Sequence, residues 1–223
     1  MKILAVDTAL GACSAALIEG GRVLAREHEQ MQRGHAEALA PMVQRIMNEA
    51  RCAFSALDRI AVTTGPGTFT GQRVGLAFAR ALGLAVKKPV IGITTLDTMA
   101  AEAIGRDARA TWSVAAADAK RGEIYLGARS REATILPPML VPLTSAMSEL
   151  GRIADEHGPN TVVAGTAAEM LIALPRAVHL SDSLVRQPDA VWVAYLAMSA
   201  PAGPPPKPLY LRPPDAKLPE NPL

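Results

Sequence analysis

The sequence predicts an α/β fold built from two similar lobes, the second abbreviated. Three observations lead there. Residues 3–28 alternate apolar runs with glycine turns, and from residue 34 onward helical and extended patterns alternate. The segment Leu4-Ala5-Val6-Asp7, followed by Gly11 and Cys13, is also echoed by Ala115-Ala116-Ala117-Asp118, followed by Gly122 and Ile124.

In chain order, residues 3–6 read as a short buried strand, residues 12–18 as a second after the turn at Gly11, and Gly20-Gly21 turns the chain into a third over 23–28. Ala36, Leu39, Val43, Ile46, Met47 and Ala50 recur at three- and four-residue intervals, which predicts an amphipathic helix over 34–50; Pro41 makes its first turn irregular or kinks it. Residues 59–64 read as a strand, 71–86 as a helix, 90–93 as a strand and 96–104 as a helix, giving βββαβαβα. The second half restarts the series. A strand runs into Asp118, a hairpin return covers 125–128, and a third strand, a helix over 147–156, a strand over 162–165 and a helix over 167–174 follow. The expected boundaries are a first lobe 1–104, a second lobe 105–200 and a Pro-rich tail 201–223. That tail holds nine of the eighteen prolines and reads as a linker or extended segment, in which only Leu209-Tyr210-Leu211-Arg212 is suited to packing. Beyond Arg212 it is expected to be mobile without a partner, having little apolar surface to offset ordering entropy.

With 223 residues, 49% of them hydrophobic, the chain can bury one sizeable core or two smaller ones. A net charge of +2 with no long run of like charge excludes a broad basic footprint, so any polyanion contact must be local or shared with a partner. Cys13 and Cys52 form no CxxC, and His28, His35, His157 and His179 form no HxxH, HExxH or HxxxH; neither a metal site nor a disulfide framework is indicated. Without a GxSxG elbow or a nucleophile–base pattern, no catalytic residue is assigned. The N-terminus meets Asp7 before a signal-peptide core can form, and the apolar stretch 81–93 is split by Lys87-Lys88-Pro89. A cytoplasmic protein without membrane contact is expected.

The most distinctive stretch is TTGPGTFTGQRVG, residues 63–75. Gly65, Gly67 and Gly71 fit neither the dinucleotide fingerprint nor a P-loop. Two readings stand. Glycine amides, the hydroxyls of Thr68 and Thr70, a helix N-terminus and Arg73 could hold an anion; or the loop is a tight strand-to-helix turn in which Gly71 and Gly75 permit close packing. Asp7 and Asp118 likewise either face one cleft and bind hydrated Mg2+ or cap their own turns, Lys120 and Arg121 standing ready to neutralise Asp118.

DTALGACSAAL, GHAEALAP, GPGTFTGQRVG, DAKRGEIY and PLYLR occur in that order over nearly the whole chain, and together they resemble the TsaB (YeaZ) family. The resemblance implies the actin/Hsp70-like ATPase (ASKHA) fold, with two ribonuclease-H-like lobes. It implies a part in forming N6-threonylcarbamoyladenosine at position 37 of tRNAs that read ANN codons, as the non-catalytic partner required by the transferase TsaD, with TsaE as a further partner and tRNA met through the complex. No cofactor of its own is then expected, ATP and Mg2+ being used by the complex. Gly65, Gly67, Thr68, Thr70, Gly71 and Arg73, with Asp7, Asp118 and Gly165, would be a vestigial phosphate site. Val163-Ala164-Gly165-Thr166 keeps one glycine where the superfamily's adenosine-binding turn uses a pair. A small-molecule kinase or ATPase of the same fold, acting alone, is the alternative.

The helix over 71–86 is apolar almost all round. Val74, Phe78, Ala81 and Ala85 are expected to cover the sheet, which leaves Leu76, Ala79, Gly83 and Val86, with Met42 and Met47 exposed on the preceding helix, to receive TsaD or, in isolation, a second copy of the chain.

Overall fold

A computed structural model of the chain, describing residues 1–173 and 179–212, contains two five-stranded mixed sheets. The first comprises β1 (Lys2–Asp7), β2 (Ala12–Glu19), β3 (Arg22–Gln30), β4 (Arg59–Thr63) and β5 (Val90–Ile93) in the order β3-β2-β1-β4-β5. The second comprises β6 (Trp112–Lys120), β7 (Glu123–Ser130), β8 (Thr134–Pro142), β9 (Asn160–Ala164) and β10 (His179–Asp182) in the order β10-β9-β6-β7-β8. β1 pairs antiparallel with β2 and parallel with β4; β6 does the same with β7 and β9. The short echo around Asp7 and Asp118 therefore extends to the topology of whole sheets.

Among the described residues five α-helices connect the strands and a sixth follows β10: α1 (His35–Glu49), α2 (Phe69–Val86), α3 (Thr95–Arg106), α4 (Leu143–His157), α5 (Ala168–Ile172) and α6 (Ala190–Ser199). α1 and α2 cover one face of the first sheet, while α4 and the single short turn α5 cover the outer face of the second. The two remaining helices are exchanged. α3 follows β5 but packs through Leu96, Met99, Ala100 and Ala103 on the second sheet; α6 ends the second series but packs through Ala190, Val193, Ala194 and Ala197 on the first. They meet where a Cβ on Gly105 would run into the Trp192 ring. The expected lobe boundary at 104/105 falls inside α3.

β10 and α6 are the elements that the sequence pattern did not disclose. Ala190–Met198 is apolar in every direction, so it has no helical period, and the structure gives the reason: one side lies on the first sheet and the other near α3. The expected end of a helix at residue 174 and the expected mobility beyond Arg212 lie outside the described residues. Among those described, no helix is long and apolar enough to cross a membrane.

Two expectations about helix faces are corrected. Met42 and Met47 do not flank the apolar stripe of α1; with Leu39, Val43 and Ile46 they constitute it, at the spacing i, i+3, i+4, i+7, i+8, and both are buried. The phase of α2 is also shifted from that expected: Val74 and Phe78 pack partly against the core of the first sheet, as expected, but they are not its centre. Leu76, Ala79 and Gly83 are buried against the sheet and Val86 packs partly against the same core, whereas Ala81 and Ala85 are exposed. The cause is close approach. Gly75 lies over Thr8 and Val62, and Gly83 over Val90, so the small residues face inward and bulkier ones are turned partly or wholly out.

After α6 the chain crosses the open edge of the first sheet. Pro206 packs on Gly92 and the Leu209 amide donates to the Thr64 carbonyl at 2.8 Å. Tyr210 stacks on Phe69 with ring centroids 6.0 Å apart, and Arg212 pairs with Glu123 of the second sheet.

Candidate functional site in the cleft between the lobes

The first lobe contributes its turn at Leu10 and Gly11, the segment Gln32–Glu37, and Thr68, Thr70, Gly71 and Val74 at the start of α2 to a cleft of about 770 Å3. Across it stand Asp118, Lys120, Thr166 and Gln187. The lobes are tied at its floor, where the Gly11 amide donates to Gln187 Oε1 at 2.8 Å.

The glycine loop is folded against the chain's own backbone. A Cβ on Gly67 or Gly71 would strike the carbonyl oxygen of Ala9 or Thr8, and one on Gly65, at φ +104°, would strike the Gln72 side chain. Several of its donors are correspondingly engaged. The Thr68 amide donates to Ala9 O at 2.8 Å, the Gly71 amide to Thr68 Oγ1 at 3.1 Å, and Gln72 Nε2 to Gly67 O at 2.9 Å. Thr8 Oγ1 donates to Gly71 O at 2.7 Å. Thr68 is thereby the N-cap of α2, which starts two residues earlier than expected. A phosphate bound through the Thr68 or Gly71 amide would have to displace these bonds, so that part of the loop is a packed turn. Arg73 points elsewhere: its guanidinium lies 3.5 Å from the centroid of the Phe69 ring and its Nε donates to Tyr210 Oη at 2.8 Å.

Asp7 and Asp118 end up in different surroundings. Asp7 is fully buried; its Oδ1 accepts from Thr63 Oγ1 at 2.5 Å and from the Ala9 amide at 3.1 Å, while Oδ2 has no partner. Burial pushes its carboxyl up to about 7, against the pull of the Thr63 and Ala9 hydrogen bonds. Asp118 lines the cleft, and Lys120 Nζ at 2.6 Å, bonded to Oδ2, holds its carboxyl below the usual range. The divergence follows from β6 running on past Asp118 through a register shift to Lys120, whereas β1 stops at Asp7. Among the described residues no group of three His, Cys, Asp or Glu side chains is placed to hold a metal ion. Gly165 sits at φ +101°, pressed against the Ala116 carbonyl, beside Thr166, whose Oγ1 accepts from the Asp118 amide at 2.9 Å.

The structure thus brings Thr68, Thr70, Gly71 and Asp118 to one cleft and buries Asp7, Met42, Met47, Leu76, Ala79 and Gly83. His35, whose Nε2 lies 3.1 Å from Leu10 O, and Gln187 were not anticipated as cleft residues. Gln187 lies in an irregular segment where no periodic signal could have singled it out.

Two lobes of one sheet topology, with exchanged central helices and a glycine loop at their common cleft, define the actin/Hsp70-like ATPase fold. A ROK hexokinase from Thermus thermophilus shares it at a TM-score of 0.53 and 15% identity, over 89% of this chain and all of that one, a likeness of fold alone. A family model described as TsaD, tRNA N6-adenosine threonylcarbamoyltransferase, matches residues 24–183. YeaZ from Pseudomonas aeruginosa superposes at a TM-score of 0.79 with 30% identity, covering 94% of this chain and 100% of that one. The tRNA threonylcarbamoyladenosine biosynthesis protein TsaB of Escherichia coli is 41% identical over 132 residues, 59% of this chain and 56% of the relative. The matched segments span little more than half the length of such curated relatives. The chain belongs to the TsaB (YeaZ) family.

Proposed function

We propose that this chain is a non-catalytic subunit supporting a TsaD-type transferase in the formation of N6-threonylcarbamoyladenosine at position 37 of tRNAs reading ANN codons. The observation that carries the reading is the closed glycine loop. The Thr68 amide serves Ala9 O, the Gly71 amide serves the cap of α2 and Gly71 O accepts from the Thr8 hydroxyl, which supports reading the ATPase fold as a scaffold with a vestigial phosphate segment. The named relatives support the pathway.

The surface offered to the transferase, or to a second copy in isolation, is then the outer face of α2, opposite to the residues first expected. Leu84 is 83% and Phe69 61% exposed there, with Ala77 and Ala81 between them. A reconstitution of the modification should lose at least about tenfold in product when this chain is omitted, a typical lower bound for losing a required subunit's coupling. The chain alone should not hydrolyse ATP; turnover abolished by Asp118→Ala would overturn the scaffold reading. Leu84→Glu should abolish pairing with the transferase while melting like wild type. Ala79→Glu, in contrast, buries an unpaired carboxylate and should lower the melting temperature sharply, whatever its effect on pairing.

A further inference from the structure

Between Asp58 and Asp97 the sequence has no Asp or Glu but five cations: Arg59, Arg73, Arg80, Lys87 and Lys88. Two are engaged inside the molecule. Arg59 Nη1 donates to the carbonyls of Ala197 and Ala200 at 2.9 and 2.6 Å, and Arg73 is held by Phe69 and Tyr210. The other three have no hydrogen bond or ion pair from their side chains among the described residues, and all three line one groove of about 650 Å3 at the C-terminal end of α2. Leu84, Pro89 and the returning strap residues Gly203 and Pro205 complete its walls. The strap continues over an adjoining hollow of about 330 Å3 that carries a fourth cation, Lys207. Among the described residues no carboxylate lines either. Asp58, which feels the Lys88 charge, is held by the Lys2 amide at 2.6 Å and lies near the N-terminal ammonium.

We propose that this groove is a contact surface for the phosphodiester backbone of a structured RNA, so that the chain touches tRNA directly; the choice of RNA rests on the functional reading above. Unneutralised cations drawn from a helix, its C-terminal turn and a separate strap match a polyanion. They offer little to a peptide. The sheet edge beside them is covered by Pro206 and by the Leu209 amide bonded to Thr64, so no peptide strand can add there. The arrangement carries no base-reading geometry, and the contact is independent of sequence.

The test uses the full chain, an unmodified tRNA transcript and a salt series, with Lys87→Gln/Lys88→Gln and the triple variant adding Lys207→Gln. Arg80 is left intact because it also borders the face proposed for the transferase. The double variant should bind tRNA about tenfold more weakly at low salt, with the slope of log affinity against log salt shallower by about 2, since each phosphate contact contributes about 0.9. Pairing with the transferase should be unchanged. Wild type without measurable tRNA binding, or variants with the same slope, would overturn the proposal. So would loss of transferase pairing with tRNA binding intact, which would make the groove a site for an acidic protein segment. If wild type fails to pair with the transferase and the lysine variants still lose RNA, the functional reading fails and the groove stands.

Discussion

Gly71→Ala is expected to lower the melting temperature by roughly 5–10 °C, and Gly151→Ala to raise it by about 2–3 °C. The chemical change is identical; the surroundings decide the sign. At Gly71 the new methyl meets the Thr8 carbonyl and Thr68 Oγ1; Thr8 is tied to the start of α2 by its hydroxyl, which donates to Gly71 O, and Thr68 Oγ1 accepts from the Gly71 amide, so the helix must move off the β1–β2 turn. Such overpacking costs about 1–3 kcal/mol, and each kcal/mol shifts the midpoint by about 2–4 °C in a chain of this size. Gly151 lies inside α4 with nothing within 4 Å of the added atom, where alanine gains about 0.8–1 kcal/mol of helix propensity. Thermal melts of the two variants check this. A Gly71→Ala protein as stable as wild type would mean that the loop has slack, and an anion-holding role would then be open to it.

Stability should fall between pH 5 and pH 8, and Asp7→Asn should remove much of that fall. The Asp7 carboxyl rises from an ordinary 3.8 to about 7 in the folded state because it is wholly buried. A raised carboxyl binds its proton more tightly when folded. Its contribution is therefore complete below about pH 4 and is lost as pH rises through about 7, with a slope near 1.4 kcal/mol per pH unit in between. Glu102, buried on α3 and also pushed up to about 7 by burial despite its pairing with Arg106, adds to the same trend. Asp7→Asn keeps an oxygen for Thr63 and Ala9 and carries no charge, so the variant should melt higher than wild type at pH 8 and similarly at pH 5. An unchanged pH profile in Asp7→Asn would show that Asp7 is ionised in the native protein, and its unpartnered Oδ2 would then call for a cation.

By itself the sequence determined the order and type of most elements, because each strand and amphipathic helix presents one face to one core and so carries a readable period. It also determined the doubling of the βββαβα unit, which follows from where glycine turns and strand-end aspartates fall, and the family, through five short segments spread along the chain. The Leu209–Arg212 anchor was legible because apolar and aromatic side chains stand out in a proline-rich tail. Tertiary structure alone decided the rest. α6 is buried on two sides, so it has no period to read, and the exchange of α3 and α6 between sheets involves partners far apart in sequence. The inward face of α2 was set by how closely its backbone approaches Thr8 and Val90, a distance to which glycine and alanine respond and a count of apolar side chains does not. The same limit governs the candidate site. Glycines that admit a phosphate and glycines that admit a neighbouring carbonyl are spelled alike, and only the positions of Thr8 and Ala9 tell them apart. Asp7 and Asp118 occupy matching places in the two copies, but two further residues of β6 bring Lys120 onto one carboxylate while the first lobe closes over the other.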